Sequence, residues 1–465
     1  MRYICFMFKS AMLLLIALAF TVQAHAETPT LQILNQWIAA INSGDAAKMT
    51  EFWQKYSHGS TDERVAGDKR LGTMTGGFTL VKVVKDDGSS LVALLKEGRG
   101  IYSELDIDFE SVNPPLIRGI HGRPVDDPSD IPSKTAANDQ ELASLVESHV
   151  TDPAAKNQFS GAILIAHNGE IVLDKAWGMA DREKQIKNTV DTQFCIGSMN
   201  KMFTAVAILQ LVQQGKLSLD GYLKDYWPDY PNHDLASWVK IRQLLSHTAG
   251  TGDIFTPEYE AHRLETRTLA DYVKLFGNRP VAFEPGSRME YSNYGFILLG
   301  RLIEIVSGET YQDYVQKHIF APVGMTRTDS RPEIDHASGR AVGYKKGPSG
   351  LQPNAPELPW NGTSAGGGYS TVKDLLLFAE ALQSGKLLDR SLLQQATTDQ
   401  THTGYGFGFY VLRDGGYGHG GGAPGINGEM HILLRQGYVI AVLANRDPFM
   451  ATDTERFIES TLPRS

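Results

Sequence analysis

The chain has 465 residues, of which 42% are hydrophobic and 21% charged, and its formal net charge is −9. This length predicts two domains, or one large and one small, and the apolar fraction is sufficient for a sizeable core. The acidic balance, without any run of Lys or Arg, argues against a nucleic-acid partner.

Residues 1–26 have the pattern of a cleavable export signal. Two cations come before a short apolar run at residues 12–20, and Ala-His-Ala at the end of the segment fits the small-residue cleavage pattern. An uncleaved anchor is the alternative, but the run is short for a helix that spans a membrane. Cleavage would remove Cys5 and leave Cys195 alone, so no disulfide is expected. We therefore expect a periplasmic or secreted protein.

Residues 27–122 predict a small α+β domain. It begins with two amphipathic helices, the first with Trp37 and Ile41 on its apolar face and the second capped by Asp45. A polar segment over residues 62–70 separates these helices from the strands.

A meander of strands follows these helices. The alternation of apolar and polar residues predicts strands at 78–84, 91–95 and 101–112. Helices followed by such a meander resemble the NTF2-like (SnoaL-like) domains, a likeness of topology alone. Residues 123–139 carry three prolines and few apolar residues, which predicts a linker.

Residues 140–465 predict a larger second domain. Strands are expected at both ends of this domain, with a mixture of helices and loops between them at about 216–385. This order predicts one antiparallel sheet assembled from the two ends, flanked by helices and joined to a mostly helical subdomain. The expected elements are an opening helix at 139–150, a hairpin at 161–166 and 171–177, three or four strands between 405 and 445, and a closing helix at 452–462.

Ser198 stands between a short predicted strand at 192–196 and a long apolar helix. Gly197 breaks the strand, and the helical period begins at Ser198. The free N–H groups of a helix N-terminus favour developing negative charge. Lys201 is three residues further on, so its amine shares a helix face with the hydroxyl and could take its proton.

The Ser-x-x-Lys pattern alone is weak, because Ser237 and Ser370 are also followed three residues later by a lysine. Ser370 is predicted to be the N-cap of a helix over 371–382. Only Ser198 combines a strand, a glycine and a long apolar helix.

Two further segments contain candidate catalytic or substrate-binding residues. In Tyr291-Ser292-Asn293 the tyrosine is either a turn residue or a phenol whose charged form a nearby lysine favours, so that it relays the serine proton. The segment that begins at His419 continues Gly-Gly-Gly, which is either a flexible hairpin or an edge strand that a ligand can approach closely.

In this order, Ser198-x-x-Lys201, Tyr291-x-Asn293 and His419-Gly420-Gly421 resemble the serine β-lactamase and penicillin-binding family. The branch is the class C-like one, which includes D-aminopeptidases, DD-carboxypeptidases and esterases. The resemblance extends over about residues 140–450 and includes Leu-Leu-Ser-His-Thr-Ala-Gly at 244–250 and Ser-Ala-Gly-Gly-Gly at 364–368.

This resemblance implies a serine acyl-enzyme. Ser198 would attack a carbonyl while Lys201 and Tyr291 move the proton, and the Ser198 and Gly422 N–H groups would hold the oxyanion. Asn293 would bind the acyl side chain or steady the lysine. The remaining predicted substrate-binding residues are His419 and Gly421.

At one position the sequence departs from the β-lactamases, because His419 stands where their third motif begins with Lys. A lysine is charged at neutral pH and can hold a carboxylate, whereas an ordinary histidine is mostly neutral. We therefore expect small esters, amides or D-amino peptides as substrates. The alternatives are a penicillin-binding DD-peptidase or weak β-lactamase, and a non-catalytic ligand-binding sensor. We expect no cofactor, and no metal because no HExxH or Cys/His cluster exists.

Overall fold

The computed structural model describes residues 28–58, 61–98, 100, 102–112, 115–125, 135–151, 159–330, 332, 339–347, 350–412 and 415–463. The chain divides into two compact units, Met1–Asp127 and Pro128–Ser465, and each is described by itself. The predicted signal at 1–26 lies outside the described residues, as do residues 126–134 of the predicted linker.

In the described part of the first unit, three helices precede an antiparallel sheet of order β1-β2-β3-β4. The first two helices form where the apolar period predicts them. Asp45 caps the second by accepting a hydrogen bond from the Ala47 N–H at 2.8 Å. The elements are α1 (Pro29–Ser43), α2 (Ala46–Tyr56), α3 (Asp62–Thr75), β1 (Phe78–Asp86), β2 (Ser90–Glu97), β3 (Tyr102–Val112) and β4 (Pro115–Val125).

Two elements of the first unit differ from expectation. The segment read as polar over residues 62–70 is α3, which lacks a continuous apolar stripe. Its Asp68 instead accepts hydrogen bonds from two buried indoles, Trp37 at 3.3 Å and Trp53 at 2.7 Å. Strand β4 was not expected, because glycines and prolines interrupt it, and it extends three residues into the predicted linker. The NTF2-like assignment stays a prediction.

In the second unit, a six-stranded antiparallel sheet has the order β13-β14-β15-β16-β5-β6. The expectation of a sheet assembled from both ends of the domain is confirmed, since Ile163 of the first hairpin pairs with Val442 near the C-terminus. The strands are β5 (Gly161–His167), β6 (Glu170–Trp177), β7 (Met179–Asp181), β8 (Ile186–Lys187), β9 (Phe194–Cys195), β10 (Tyr344–Gly347), β11 (Gly350–Pro353), β12 (Tyr369–Ser370), β13 (Tyr410–Val411), β14 (Tyr417–Ala423), β15 (Ile426–Leu433) and β16 (Tyr438–Ala444).

Helices cover both faces of this sheet and form the middle portion, which confirms the α+β class. They are α4 (Asp139–Thr151), α5 (Asn200–Gln213), α6 (Leu223–Tyr226), α7 (His233–Trp238), α8 (Ile241–Leu245), α9 (Pro257–His262), α10 (Leu269–Phe276), α11 (Asn293–Ser307), α12 (Tyr311–Val315), α13 (Ala321–Val323), α14 (Val372–Gln383), α15 (Arg390–Ala396) and α16 (Met450–Thr461). Among the described residues, none of the helices is long and apolar enough to cross a membrane.

Two cores lie on the two sides of the sheet. One contains the central helix α5, whose side chains are buried almost all round from Asn200 to Leu209. The other lies between the sheet and the terminal helices α4 and α16. A helix that is apolar on every side belongs in the middle of a large core, so α5 is the element on which the site is built.

The bounds of two elements near the site differ slightly from those that the sequence predicted. The strand predicted at 192–196 is only β9, which pairs with β12. The cap of α14 is Thr371 rather than Ser370, because Ser370 belongs to β12 and places its buried hydroxyl 2.8 Å from the Thr328 hydroxyl.

Candidate active site

Ser198 lies in a single 3-10 turn, Gly197–Met199, that leads into α5. Gly197 has a φ of +52°, which only glycine adopts readily, and this conformation turns the chain from β9 into the helix. A Cβ added to Gly197 would lie 3.3 Å from the backbone nitrogen of Gly422 on β14. The turn therefore brings the serine directly against the third predicted motif.

The amine of Lys201 is completely buried beside Ser198. Its Nζ lies 3.2 Å from the Ser198 Oγ and 2.7 Å from the Oδ1 of Asn293, and it also donates to the backbone oxygen of Ala365. Burial lowers the pKa of Lys201 to about 7, although the negative charge of Asp253 acts in the opposite direction. A large share of these amines is therefore neutral at physiological pH.

The acceptor Ala365 belongs to the loop of residues 364–368. Asn200 donates to the Thr363 oxygen, and Thr204 donates to the Ser364 oxygen at 2.7 Å. Two polar side chains of the first turns of α5 thus hold the loop against the helix. The motif Ser-Ala-Gly-Gly-Gly had marked this loop as part of the resemblance, but nothing local in it indicated that a carbonyl would face the lysine.

Tyr291 completes the group around the serine. Its ring centroid is 4.7 Å from the Lys201 Nζ, and its phenol is hydrogen-bonded to Ser198. Burial raises the pKa of Tyr291 well above its usual value, and the hydrogen bond with Ser198 only partly opposes this. The resting phenol is therefore protonated, in contrast to the expectation that the lysine favours its charged form.

Asn293 begins α11 and connects the lysine to Asp253. Besides accepting from Lys201, it donates to the carboxylate of Asp253 through its backbone N–H at 3.1 Å and its side-chain amide at 3.3 Å. This second contact orients the amide so that its oxygen, and not its nitrogen, faces the amine. Sequence reasoning missed Asp253, which carries no motif of its own.

His247, in the segment 244–250 that forms part of the resemblance, lies beneath Tyr291. The two ring centroids are 4.2 Å apart, and the His247 Nδ1 accepts a hydrogen bond from the Ser292 N–H at 3.1 Å. Its φ of +59° places the ring in this position. Burial lowers the pKa of His247 well below its usual value, so the ring is neutral and packs as an aromatic support.

Strand β14 places its glycines on opposite faces. A Cβ on Gly421 would lie 2.0 Å from the Ile196 oxygen and 3.2 Å from the Ser198 nitrogen, whereas one on Gly420 would meet the Glu429 carboxylate on the other side of the sheet. Only glycine at 421 permits this approach. The predicted residues Gly421 and Gly422 thus lie against the serine.

His419 is buried completely and does not line an open surface. Its Nδ1 donates to the Gly420 oxygen at 2.5 Å, its Nε2 accepts from the Tyr405 hydroxyl at 3.0 Å, and its ring stacks on Tyr410 at 4.3 Å. Burial lowers the pKa of His419 to about 3. Both nitrogens are therefore engaged within the protein, and the ring carries no charge at neutral pH.

The structure thus brings together Ser198, Lys201, Tyr291, Asn293, Gly421 and Gly422. His419 is buried on the same face of β14 as Gly421. The chemistry available is a hydroxyl nucleophile, a neutral amine base, a protonated phenol and backbone N–H groups near the serine. Among the described residues, one group of side chains has the arrangement of metal ligands, His431 with Glu455 and Glu459, and it lies elsewhere.

Comparison with known proteins agrees with this geometry. The profile of the Beta-lactamase family matches residues 145–462. PbpX of Bacillus subtilis (strain 168) is 32% identical over 327 residues, which cover 68% of this chain and 79% of PbpX. A penicillin binding protein from Bacillus halodurans superposes with a TM-score of 0.61 at 30% identity, covering 70% of this chain and 99% of that one.

A D-amino acid amidase from Ochrobactrum anthropi SV3, complexed with L-phenylalanine amide, superposes with a TM-score of 0.59 at 26% identity. It covers 69% of this chain and 97% of the amidase. The match over residues 145–462 confirms the family that the three motifs indicated. The chain belongs to the Beta-lactamase family of serine hydrolases.

Proposed function

We propose that the chain hydrolyses small esters, amides or D-amino peptides through an acyl-enzyme on Ser198. The observation that carries this proposal is the buried amine of Lys201, 3.2 Å from the serine hydroxyl and with its pKa lowered to about 7. Burying a charged lysine costs free energy, which favours the neutral amine. A neutral amine at this distance can accept the proton of the serine hydroxyl.

In the proposed mechanism, the Ser198 hydroxyl attacks the substrate carbonyl and its proton passes to Lys201. The protonated phenol of Tyr291, which is hydrogen-bonded to the serine, delivers a proton to the leaving group and recovers one from Lys201. Water then hydrolyses the acyl-enzyme by the reverse proton path.

The negative charge of the tetrahedral intermediate would be held by backbone N–H groups of Ser198 and Gly422. The close approach of the Gly197 turn to Gly422 supports this pairing. Asn293, held by Asp253, keeps the lysine aimed at the serine. Loss of one such oxyanion donor typically slows acylation by about 10²–10³.

The proposed preference for neutral or amine-bearing substrates depends on His419. Because its ring is neutral and both its nitrogens are engaged, it offers no cation to a substrate carboxylate. The D-amino acid amidase among the related structures is consistent with such substrates. Should His419→Lys leave the ratio of ester hydrolysis to penicillin hydrolysis unchanged, the argument from charge would be wrong.

The direct test is the intact mass of the protein after reaction with a fluorophosphonate. We expect one adduct on the native chain and on Ser237→Ala, which removes the serine of another Ser-x-x-Lys pattern, and none on Ser198→Ala. If neither the native chain nor Ser237→Ala is labelled, Ser198 is not activated and the non-catalytic ligand-binding alternative is favoured.

A second candidate function is that of a penicillin-binding DD-peptidase or weak β-lactamase. Its support is the similarity to a penicillin binding protein from Bacillus halodurans. A fluorescent penicillin that labels Ser198 stoichiometrically, while small esters are not turned over, would favour this candidate. Ester turnover without penicillin labelling would favour the first.

We also propose export to the periplasm or the medium, on the pattern of residues 1–26. N-terminal sequencing of the protein from a bacterial host should begin at Glu27. A chain that retains its initial residues in the cytoplasm would contradict this proposal.

A further inference from the structure

A cluster of ionisable side chains lies between β15 and α16, outside the site described above. The His431 Nδ1 is 2.8 Å from the Glu455 Oε1 and 2.7 Å from the Glu459 Oε1, and the three atoms all lie within 4.8 Å of one another. Glu455 and Glu459 are four residues apart on α16, so they share one helix face and point together toward the strand.

The cluster lies on the face of the sheet opposite Ser198. On β15, a Cβ on Gly428 would meet the Met199 sulfur at 2.8 Å, so the next residue, Glu429, points to the other side. His431 points to the same side as Glu429. No residue of this cluster is therefore part of the proposed active site.

One buried acceptor in this cluster has no hydrogen-bond donor. The single hydrogen that His431 Nδ1 can carry is directed to Glu459, and the Oε1 of Glu455 receives none, although Glu455 is only 2% exposed. Leaving a buried carboxylate oxygen without a donor is costly.

A further carboxylate lies at ion-pair distance on the other side of the imidazole. Its Nε2 faces the Oε2 of Glu429 at 3.8 Å, and Glu429 is itself held by the Thr452 hydroxyl at 2.7 Å. A carboxylate behind the ring orients a ligating histidine and fixes which nitrogen is free for the ion. Glu459 is 36% exposed at its side chain, which opens a path from solvent.

We propose that His431, Glu455 and Glu459 bind a divalent transition-metal ion, with one imidazole nitrogen and two carboxylates as ligands and Glu429 orienting the imidazole. Nitrogen and oxygen donors of this kind suit Zn²⁺ or Mn²⁺. With bonds of about 2.0–2.2 Å in tetrahedral geometry, the ligand atoms would lie about 3.3–3.6 Å apart. Each carboxylate oxygen would therefore move away from the His431 Nδ1, from its present 2.8 or 2.7 Å, when the ion binds. It would join the C-terminal helix α16 to β15.

The test uses Co²⁺ as a coloured substitute for Zn²⁺ on the full chain. We expect visible absorption that saturates at one Co²⁺ per chain, is reversed by Zn²⁺, and is accompanied by a rise in the unfolding temperature. Glu455→Gln and Glu459→Gln should weaken binding by at least about tenfold. His262→Asn is the matched control, because it removes an exposed His–Glu pair of 3.0 Å that lacks further ligands.

Absence of Co²⁺ absorption on the native chain, or equal binding by the two Gln variants, would overturn the proposal. If Glu455→Gln does not fold, as judged by circular dichroism, the half-exposed Glu459→Gln decides. Fluorophosphonate labelling of Ser198 is scored separately, so failure of the metal site and failure of the proposed hydrolase are distinguishable.

Discussion

At the scale of single residues, the charge state of Lys201 decides whether the serine can react. Its three hydrogen-bond acceptors would suit an ammonium ion, but complete burial disfavours that charge and has the larger effect on the pKa. The neighbouring Tyr291 is held protonated by the same burial. One apolar environment thus produces a base and an acid from two groups that are both protonated in water.

We therefore predict that labelling of Ser198 by a fluorophosphonate accelerates as pH rises through about 7 and then levels off. Below the lowered pKa the Lys201 amine is protonated and cannot accept the serine proton, and above it the amine is free. Lys201→Arg should abolish this rise in the labelling rate near pH 7 and slow labelling by about 10²–10⁴.

Labelling rates of both proteins by intact mass, from about pH 5 to about pH 9, provide the measurement. Lys240→Arg, in another Ser-x-x-Lys pattern, is the matched control and should keep the native profile. A flat profile for the native chain would contradict the role of Lys201.

Asp68 leads to a prediction for the first unit. Burial raises the pKa of this carboxyl to about 6, despite two indole hydrogen bonds. The folded unit therefore binds a proton that the unfolded chain releases between about pH 4 and about 6, so stability should fall by about 2–3 kcal/mol as pH rises through that window. Asp68→Asn should flatten this dependence.

Amide hydrogen exchange of α1 and α3, measured at the two ends of that pH window, would report the stability of this unit. The exposed Glu51→Gln should behave as the native chain does. Equal pH dependence in Asp68→Asn and the native protein would show that another group is responsible.

At the scale of elements, the site depends on how closely β14 passes the Gly197–Met199 turn. The strand carries its residues on alternate faces, so Gly421 faces the serine and Gly420 faces Glu429. From the sequence, the glycines of β14 were equally consistent with a flexible hairpin. In the structure, close contacts on both faces of the strand require glycine at 420 and 421.

Gly421→Ala should move β14 away from the turn, because the added Cβ would lie 2.0 Å from the Ile196 oxygen. We expect a loss of about 1–3 kcal/mol in the free energy of unfolding and a strong loss of Ser198 labelling. Denaturant unfolding and labelling rates measure both.

Gly67→Ala is the control for this substitution, because nothing lies within 4 Å of a Cβ at that position. It should leave labelling unchanged. Native labelling in Gly421→Ala would mean that the strand does not constrain the serine.

At the scale of the whole molecule, the described residues form separate apolar clusters. One lies wholly between Ile33 and Ile117, and the two others lie within the second unit. Every residue of the proposed active site belongs to the second unit. A unit with its own core is expected to fold alone.

We predict that a chain truncated before Asp139 still reacts with fluorophosphonate at Ser198. Labelling within about threefold of the full chain would show that the first unit has no part in activating the serine. The control is the same truncated chain carrying Ser198→Ala, which should not be labelled. A folded truncated chain without labelling would instead assign the first unit a role at the site.

The amino-acid sequence by itself determined the features that are encoded within a few neighbouring residues. The helical period before Trp53, the cap at Asp45, the glycine turn at Gly197 and the pairing of Ser198 with Lys201 all depend on local geometry. The order of three motifs was enough for the family. Elements without a strong period, such as α3 and β4, were missed because contacts with distant residues stabilise them.

Only the tertiary structure decided the features that depend on groups distant in sequence. The Ala365 oxygen reaches the site from one loop, and His247 and Asp253 reach it from another, between α8 and α9. The burial of the site sets the protonation of Lys201 and Tyr291. In the same way, His431 meets Glu455 and Glu459 only when α16 packs on β15. Desolvation and hydrogen-bond satisfaction are properties of the packed environment, and a residue's neighbours along the chain do not specify them.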